Sequence, residues 1–244
     1  MNPQLAFDVQ LSVIVPAYNE EDRIAYGIRQ ILEFLQSKQR HTWELIVVDD
    51  GSEDNTHHII DTIISGDNRA RSIRYSPNRG KGFAVRTGVL DAAGEWIVFL
   101  DADLSTPVNE IHNAIKLLER GTDLVVGSRA HRDSCIEVEP NLFRRIASYV
   151  FDLVRIQIVG LSEFSDTQCG FKAARAQSVV PLYQRAIIER FMFDVEILFL
   201  AKQSGLNIEE LPIIWRDSPG STVRLWPGVY EMFRDLFVIR KVHS

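Results

Sequence analysis

The sequence predicts an α/β protein in which helices flank a mostly parallel sheet, and three observations predict this fold class. Short runs of β-branched residues alternate with longer amphipathic stretches, which is the order expected of strands joined by crossover helices. The chain has 244 residues, 45% of them hydrophobic, enough to bury one sizeable core. It carries no internal repeat or linker-like stretch. We therefore expect a single domain spanning residues 1–244.

The predicted strands of the first half are short apolar runs that end at polar or turn-forming residues. They are Leu11–Val15, Glu44–Val48, Ser72–Tyr75, Trp96–Leu100 and Leu124–Val126. The stretches between them have the apolar spacing of helices, and the last one follows Thr106, a good helix cap. These predicted helices are Glu20–Gln36, Asn55–Ile64, Gly82–Ala92 and Pro107–Glu119.

The second half of the chain is less regular, and its expected role is to close the site that the first half builds. Its apolar spacing predicts three helices and one further strand. The helices are Leu142–Leu161, Phe193–Gln203 and Tyr230–Arg240, and the strand is Ile208–Trp215.

Composition and charge exclude several classes of protein. The formal net charge of −6 lacks the basic character of a nucleic-acid-binding surface. Cys135 and Cys169 are too few for a disulfide framework and lack zinc-site spacing, so we expect a reducing, cytoplasmic setting. The segment Met1–Gln10 does not resemble a signal peptide. No apolar run approaches the ~18 residues that cross a bilayer, so we expect any membrane contact to be peripheral.

Acidic residues follow three of the predicted strands. The first strand leads into Pro16–Glu20, the second into Asp49–Ser52 and the fourth into Asp101–Asp103. Ligands of open α/β sheets bind outside the carboxyl ends of the strands, where these carboxylates would meet. Carboxylates repel one another unless a cation shares their charge, which points to Mg²⁺ or Mn²⁺ at Asp101 and Asp103. The alternative for an acid-x-acid triplet is a plain acidic turn.

The third strand is followed by the glycine-rich, basic segment Asn78–Gly82. Two glycines permit close approach to the backbone, and Arg79 and Lys81 supply positive charge just before a helix begins. This pattern favours a phosphate ligand. Its spacing matches neither a nucleotide-hydrolase phosphate loop nor a dinucleotide fingerprint, and the alternative is a basic strand-to-helix turn.

These motifs together resemble glycosyltransferase family 2, whose fold is called GT-A, and the resemblance covers nearly the whole chain. It implies a nucleotide-sugar-binding half over residues 1–128 and an acceptor-binding half over 129–244. It also implies that Lys81 serves the donor phosphates, that Asp101 and Asp103 serve the metal and the diphosphate, and that the following residues hold the base and ribose of the donor: Pro16, Tyr18, Glu20, Asp49 and Asp50.

Two later motifs, Gly127–Arg129 and Asp166–Lys172, are similar to the branch of the family that glycosylates polyprenyl phosphates. Within that branch, the second motif and Phe193–Glu196 resemble dolichyl-phosphate β-glucosyltransferases, which use UDP-glucose, with the GDP-mannose-dependent mannosyl enzymes second. Many eukaryotic members begin with a membrane-spanning helix that this sequence lacks, so a bacterial or archaeal lipid such as undecaprenyl phosphate is an alternative acceptor. The resemblance implies an acceptor-phosphate clasp of Arg129, Arg144 and Ser148, and a donor-side loop carrying Arg216 and Arg224.

Family 2 enzymes invert the anomeric centre, so the resemblance implies a β-linked product. A phosphate acceptor is already an anion and requires positioning more than a general base. A sugar-hydroxyl acceptor would need a base, for which Asp166 is the candidate, unless Asp166 only shapes the acceptor loop. A third alternative is a module that binds a nucleotide sugar without catalysis, which the intact Asp101 and Asp103 argue against.

The predicted helix over Leu142–Leu161 is amphipathic, with Arg144, Ser148, Asp152 and Arg155 along one stripe. Its opposite, apolar side carries Tyr149 and Phe151, and it either rests on lipid or packs in the core. The same two interpretations apply to the C-terminal segment, which carries Arg234, Arg240 and Lys241.

Overall fold

The structure is a computed structural model that describes residues 8–38, 40–136, 142–215 and 225–244, without the side chains of 142–147 and 225–229. The strands of this described part are β1 Leu11–Ala17, β2 Trp43–Asp49, β3 Ala70–Arg74, β4 Trp96–Leu100, β5 Leu124–Ser128, β6 Cys135–Ile136, β7 Phe171–Arg175, β8 Ile208–Pro212 and β9 Ile214–Trp215. Its helices are α1 Ile24–Ser37, α2 Thr56–Ile64, α3 Lys81–Asp91, α4 Glu110–Glu119, α5 Leu142–Val159, α6 Ala176–Arg185, α7 Phe193–Gln203 and α8 Leu225–His243.

A seven-stranded sheet with the order β3-β2-β1-β4-β7-β5-β8 forms the centre of the described fold. Every residue of β1, β2 and β4 is buried, as expected of strands that are covered by helices on both faces. Apolar side chains form one core cluster on each face of the sheet. Helix α1 contributes to one of them because its apolar residues recur at helical spacing, at Ile24, Ile28, Ile31 and Leu35. The expected α/β fold with a mostly parallel sheet is confirmed.

The sheet topology predicts that ligands bind at the carboxyl ends of β1 and β4. Strand β1 pairs in parallel with β2 on one side and with β4 on the other. The connection that leaves β1 and the one that leads to β4 therefore run toward opposite sides of the sheet. Ligands bind at the carboxyl ends of strands beside such a switch point. Strand β7 is the antiparallel member, and Phe171 pairs with Leu100 at the end of β4. The loop that precedes β7 therefore arrives at the same edge as the acidic turn after β4.

Several predicted helices have different ends in the structure. The helix expected over Pro107–Glu119 begins at Glu110, after a turn at residues 108–109, and the one expected over Tyr230–Arg240 spans Leu225–His243. Two further differences have a visible physical reason. The helix expected over Glu20–Gln36 begins at Ile24, because residues 21–23 form a turn and the Glu20 carboxylate binds Arg23. The helix expected to end at Leu161 ends at Val159, because Gly160 adopts a φ of 71°, the left-handed conformation that commonly ends helices.

The predicted strand Ile208–Trp215 divides at Ile213. The Ile213 oxygen accepts a hydrogen bond from Cys135 N, and Ile213 N donates to Ser134 Oγ, so the chain leaves the main sheet there. The remaining residues form β9, which pairs with β6 in a separate two-stranded sheet.

Strand β7 and helix α6 were not predicted. The β7 sequence, Phe-Lys-Ala-Ala-Arg, lacks β-branched residues, and α6 contains Pro181, which is unfavourable within a helix. Within the described ranges, no helix combines the length and the apolar character required to span a membrane.

Candidate active site

Asp101 follows β4 and lies against the loop that precedes β7. Its backbone N donates to Gly170 O at 3.2 Å, and its Oδ1 is 2.6 Å from Nζ of Lys81, the first residue of α3. A Cβ added at Gly170 would lie 1.9 Å from Asp101 Oδ2. Only a glycine at position 170 therefore leaves room for the Asp101 carboxylate in this position.

A buried ion pair supports Lys81 electrostatically. Lys172 Nζ on β7 is 2.5 Å from Asp194 Oδ1 on α7, and the two side chains are 3% and 4% exposed. Burial raises the pKa of Asp194, whereas Lys172 and Lys81 act to lower it. Burial disfavours the charged form of Lys81, but Asp101 and Asp194 outweigh this effect and raise the pKa of Lys81 above its ordinary value. Lys81 is thus held as a cation at the end of β4.

The acidic turn after β4 fits a divalent cation that a phosphate ligand helps to hold. Burial raises the pKa of Glu20, Arg23 lowers it, and the nearby charges of Asp103 and Asp101 raise it further, so three carboxylates share this edge. Among the described residues, no group of three or more His, Cys, Asp or Glu side chains could enclose a metal ion. Mg²⁺ typically uses one or two carboxylates, with substrate phosphates and water completing its shell. Asp101 and Asp103 match that pattern.

Asp50 holds the glycine-rich loop in place. Its Oδ1 accepts a hydrogen bond from Arg79 N at 2.8 Å, and its Oδ2 accepts from Gly80 N at 2.8 Å and from Asn78 Nδ2 at 2.7 Å. The side chain is buried. The resemblance predicted that Asp50 contacts the donor, whereas the structure shows its carboxylate engaged with the loop that presents Lys81.

Asp49 is fully buried at the end of β2. Its Oδ1 accepts a hydrogen bond from Ser52 N at 2.9 Å. Its Oδ2 lies 3.3 Å from Arg74 Nε and 3.8 Å from His57 Nδ1, and the structure describes no hydrogen bond for this oxygen. Asp49 therefore has one buried carboxylate oxygen without a hydrogen bond at the carboxyl end of β2, and its role toward the donor stays a prediction.

The remaining predicted donor residues lie at the end of β1. Pro16 is within the strand and pairs with Val48 of β2. Tyr18 follows the strand and is 39% exposed. Glu20 N donates to Thr56 Oγ1 at 2.7 Å, which joins this turn to the start of α2. The structure therefore brings Pro16, Tyr18 and Glu20 to the same edge as Asp49 and Asp101.

Asp166 and Arg129 form a bidentate ion pair at the end of β5. Arg129 Nε donates to Asp166 Oδ2 at 2.6 Å, and Arg129 Nη2 donates to Oδ1 at 2.9 Å. Backbone N–H groups of Arg129 and Gln168 also donate to this carboxylate. Burial alone would raise the pKa of Asp166, but the hydrogen bonds and charge of Arg129 outweigh it and hold the pKa below its ordinary value. Asp166 is therefore a poor proton acceptor in this arrangement.

Glu210 on β8 supports the loop that carries Asp166. Its Oε1 accepts hydrogen bonds from Ser165 N at 2.9 Å and from Asp166 N at 3.3 Å, and both of its carboxylate oxygens accept from Ser165 Oγ. Glu210 was not predicted as a site residue. Glu210 lies 44 residues from Asp166, and no sequence pattern links the two residues, because only the parallel pairing of β5 with β8 brings them together.

The predicted acceptor clasp is only partly described. Ser148 is exposed on α5, and in the described part of the chain no hydrogen bond joins it to Arg129. The side chain of Arg144, and the whole of Arg216 and Arg224, lie outside the described residues. Arg155, from the same helical stripe, is a structural residue: it is 1% exposed and donates to Leu161 O and Phe164 O.

Comparison with known proteins identifies the family of the chain that carries these residues. A model of glycosyl transferase family 2 matches residues 12–177, which include the acidic turn, the glycine-rich loop and the Asp166 motif. The chain belongs to glycosyltransferase family 2. Among its family 2 relatives is the dolichyl-phosphate beta-glucosyltransferase of Saccharomyces cerevisiae, 34% identical over 97% of this chain and 75% of the relative. The Drosophila melanogaster protein of the same name is 35% identical over 95% of this chain and 74% of that relative.

Solved structures of other glycosyltransferases share the fold. Glucosyl-3-phosphoglycerate synthase from Mycobacterium tuberculosis in complex with UDP superposes with a TM-score of 0.68 and 21% identity, over 98% of this chain and 84% of that one. The same enzyme with Mn²⁺, UDP and glucosyl-3-phosphoglycerate superposes with a TM-score of 0.67 and 20% identity, over 95% of this chain and 78% of that one. The expected GT-A fold is confirmed.

Proposed function

We propose that this family 2 enzyme transfers glucose from UDP-glucose to the phosphate of a dolichyl-type polyprenyl lipid, with inversion at C1 to give a β-linked product. The observation that carries the proposal is the Asp166–Arg129 ion pair. Because Arg129 engages both carboxylate oxygens of Asp166, this side chain is occupied and acidic, which disfavours its alternative role as the base for a hydroxyl acceptor. A phosphate acceptor requires no such base.

The names of the relatives support the same sugar and the same acceptor. The yeast and fly proteins, at 34% and 35% identity over at least 95% of this chain, are named dolichyl-phosphate beta-glucosyltransferases. The structural neighbours bind UDP, one of them together with Mn²⁺. GDP-mannose is the alternative donor, and transfer to a sugar hydroxyl is the alternative reaction.

In the proposed reaction, an oxygen of the lipid phosphate attacks C1 of glucose from the face opposite UDP. The bond between C1 and the β-phosphate oxygen breaks, and its electron pair leaves with UDP. The positive charge of Lys81 beside Asp101 stabilises the departing diphosphate. A divalent cation held by Asp101 and Asp103 would supply further Lewis-acid stabilisation of that diphosphate. No proton transfer is required, so positioning and charge provide the catalysis.

The acceptor side is built around Arg129. Asp166 fixes two of its guanidinium nitrogens, and burial acts to lower the pKa of Arg129, but Asp166 outweighs this effect and raises it. The guanidinium therefore stays charged and oriented, which suits recognition of a phosphate. Arg144 and Ser148 remain proposed partners of the same phosphate. Arg216 and Arg224 remain proposed donor-side residues.

Helices α5 and α8 form the proposed lipid-facing surface. They pack together through Phe151 and Phe233, whose ring centroids are 6.3 Å apart. Both helices also expose apolar side chains, namely Tyr149, Val150 and Leu153 on α5 and Tyr230, Phe237 and Val242 on α8. The exposed basic residues Arg240 and Lys241 on α8 suit anionic headgroups. Such a surface would hold the enzyme on a membrane that contains its acceptor.

A transfer assay with two donors tests the proposal. The purified protein is incubated with labelled UDP-glucose or GDP-mannose, Mg²⁺ or Mn²⁺ and a polyprenyl phosphate, and label that enters organic solvent is counted. We expect lipid-phase label from UDP-glucose only. Label from GDP-mannose only would establish the mannosyl alternative, and no lipid-phase label from either donor, with nucleotide binding intact, would exclude a lipid-phosphate acceptor.

A further inference from the structure

Glu196 on α7 is a completely buried carboxylate with no part in the reaction described above. Its Oε1 accepts a hydrogen bond from Ile187 N at 2.9 Å, and its Oε2 accepts from Ile188 N at 2.9 Å. One side chain thus satisfies two consecutive backbone donors of the segment between α6 and α7. Residues 186–189 have no regular secondary structure, so contacts of this kind determine the path of their backbone.

The glycine-rich loop rests on the backbone that Glu196 fixes. Phe83 N donates to Glu189 O at 2.9 Å. A Cβ added at Gly80 would lie 2.7 Å from that same Glu189 oxygen, and one at Gly82 would lie 2.8 Å from Ile188 O. The two glycines are therefore necessary for this close packing, and a shift of residues 188–190 would move the loop that carries Lys81.

Side-chain contacts reinforce this packing. Arg79 forms an ion pair with Glu189, and its guanidinium lies over the Phe83 ring, 3.5 Å from the ring centroid. Asp50 holds the opposite side of the loop through the backbone N–H groups of Arg79 and Gly80. The loop is thus held between Asp50 on one side and the segment fixed by Glu196 on the other.

The last turn of α8 completes the surroundings of Glu196. His243 Nε2 is 2.7 Å from Glu196 Oε1, and the His243 side chain is 5% exposed. Gln203 Nε2 donates to His243 O, which fixes the end of α8 against the end of α7. The Glu196 carboxylate therefore joins α8 to the backbone beneath the glycine-rich loop.

We propose that Glu196, completed by His243, is a positioning residue for the donor diphosphate. It sets the backbone of residues 187–190, on which the loop bearing Lys81 is seated, and does not itself contact the donor. The proposal rests on the proposed function only in taking this loop as the diphosphate site. Its direct consequence is that changes at Glu196 weaken nucleoside diphosphate binding from a distance.

The test compares two buried glutamates by titration calorimetry with UDP. In Glu196→Gln, the side-chain amide keeps one acceptor oxygen, and its NH₂ group replaces the other. That NH₂ group would face the backbone N–H of either Ile187 or Ile188, which therefore loses its hydrogen-bond acceptor. The matched control is Glu44→Gln. Glu44 is also buried and bound to Ser12 and to Ala93 N, but it lies near the amino ends of the strands, at the opposite edge of the sheet.

We expect Glu196→Gln to raise the Kd for UDP about tenfold and Glu44→Gln to leave it within about twofold of the parent, at similar losses of thermal stability. Equal Kd values for the two variants would overturn the proposal. A parent protein that binds neither UDP nor GDP would instead refute the donor site, and with it the proposed function.

His243 provides a second, milder pair of variants, which decides the question alone if Glu196→Gln does not fold. His243→Ala removes one partner of Glu196 Oε1 and should raise the Kd for UDP about threefold. His243→Gln keeps an N–H donor and should restore most of the parental affinity. Parental affinity in His243→Ala, or no rescue in His243→Gln, contradicts the role given to this contact.

Discussion

Asp166 binds Arg129 through both of its carboxylate oxygens, at 2.6 Å to Nε and 2.9 Å to Nη2. The pair lies at the carboxyl end of β5, where a strand end and the loop before β7 meet. Because both groups are charged and mostly buried, neither is positioned independently of the other. In the proposed function, the acceptor side of the site is therefore built around an oriented cation and not around a free base.

The first prediction concerns this pair. Asp166→Asn and Arg129→Lys should each raise the KM for the lipid phosphate about tenfold or more while changing the KM for UDP-glucose little, because Lys cannot form the bidentate pair and Asn lacks the charge. Steady-state kinetics with both substrates measure this split. If Asp166→Asn instead lowers kcat about 10³-fold and leaves the KM for the acceptor unchanged, Asp166 is a general base.

The second prediction concerns how the stability contributed by Asp166 depends on pH. Its pKa in the folded protein lies below the ordinary value, so its stabilisation is complete above about pH 4 and is lost as the pH falls through the folded pKa. Urea unfolding of the parent and of Asp166→Asn should give a difference in unfolding free energy that is constant from about pH 5 to 7 and shrinks below about pH 4. A difference that persists unchanged to pH 2 would contradict this assignment.

The third prediction uses the close approach of Gly170 to Asp101. A Cβ at position 170 would lie 1.9 Å from Asp101 Oδ2, and the carboxylate, at the end of a short side chain, would move away from Lys81. We expect Gly170→Ala to fold with a stability loss of about 1–3 kcal/mol and to transfer sugar about 100-fold more slowly. Gly66→Ala is the matched control, because a Cβ there meets no atom within 4 Å. Equal activity of the two variants would exclude a role for Asp101 in this position.

The fourth prediction tests the surface formed by α5 and α8. Replacing Tyr149, Leu153 and Phe237 together by Ser should reduce co-sedimentation with anionic lipid vesicles by about tenfold or more, because each exposed apolar side chain contributes burial in the lipid interface. UDP affinity should be unchanged. The control replaces the exposed Tyr26 on α1 and Leu90 on α3 by Ser. Vesicle binding that falls equally in both variants would show that α5 and α8 are not the membrane surface.

The strand ends of the first half were predictable from the sequence. Strands β1, β2 and β4 are short, mostly apolar runs followed by chemically distinctive residues, and parallel strands bring these residues to one edge of a sheet. Strand β3 is more polar and only partly buried. The placement of Asp101 beside Lys81 follows from that rule, although the two are 20 residues apart. The family resemblance then assigned donor-side roles to the same positions.

The partners of those residues were not predictable. Strand β7 has few residues that favour a strand, and its antiparallel position between β4 and β5 depends on tertiary pairing. Asp50 carries a family motif, yet its carboxylate serves the backbone of the glycine-rich loop. Glu196 and Glu210 also act on backbone N–H groups of other segments, and such contacts leave no periodic pattern in a sequence.

The most direct test of the proposed function compares two acceptors that differ only in the phosphate. Polyprenyl phosphate and the free polyprenol are each offered with labelled UDP-glucose, and the anomeric configuration of any lipid-linked product is determined by NMR. We expect transfer to the phosphate alone, with a β-linked glucose, and its loss in Asp103→Ala. Transfer to the free alcohol, or an α-linked product, would contradict an inverting reaction at a lipid phosphate.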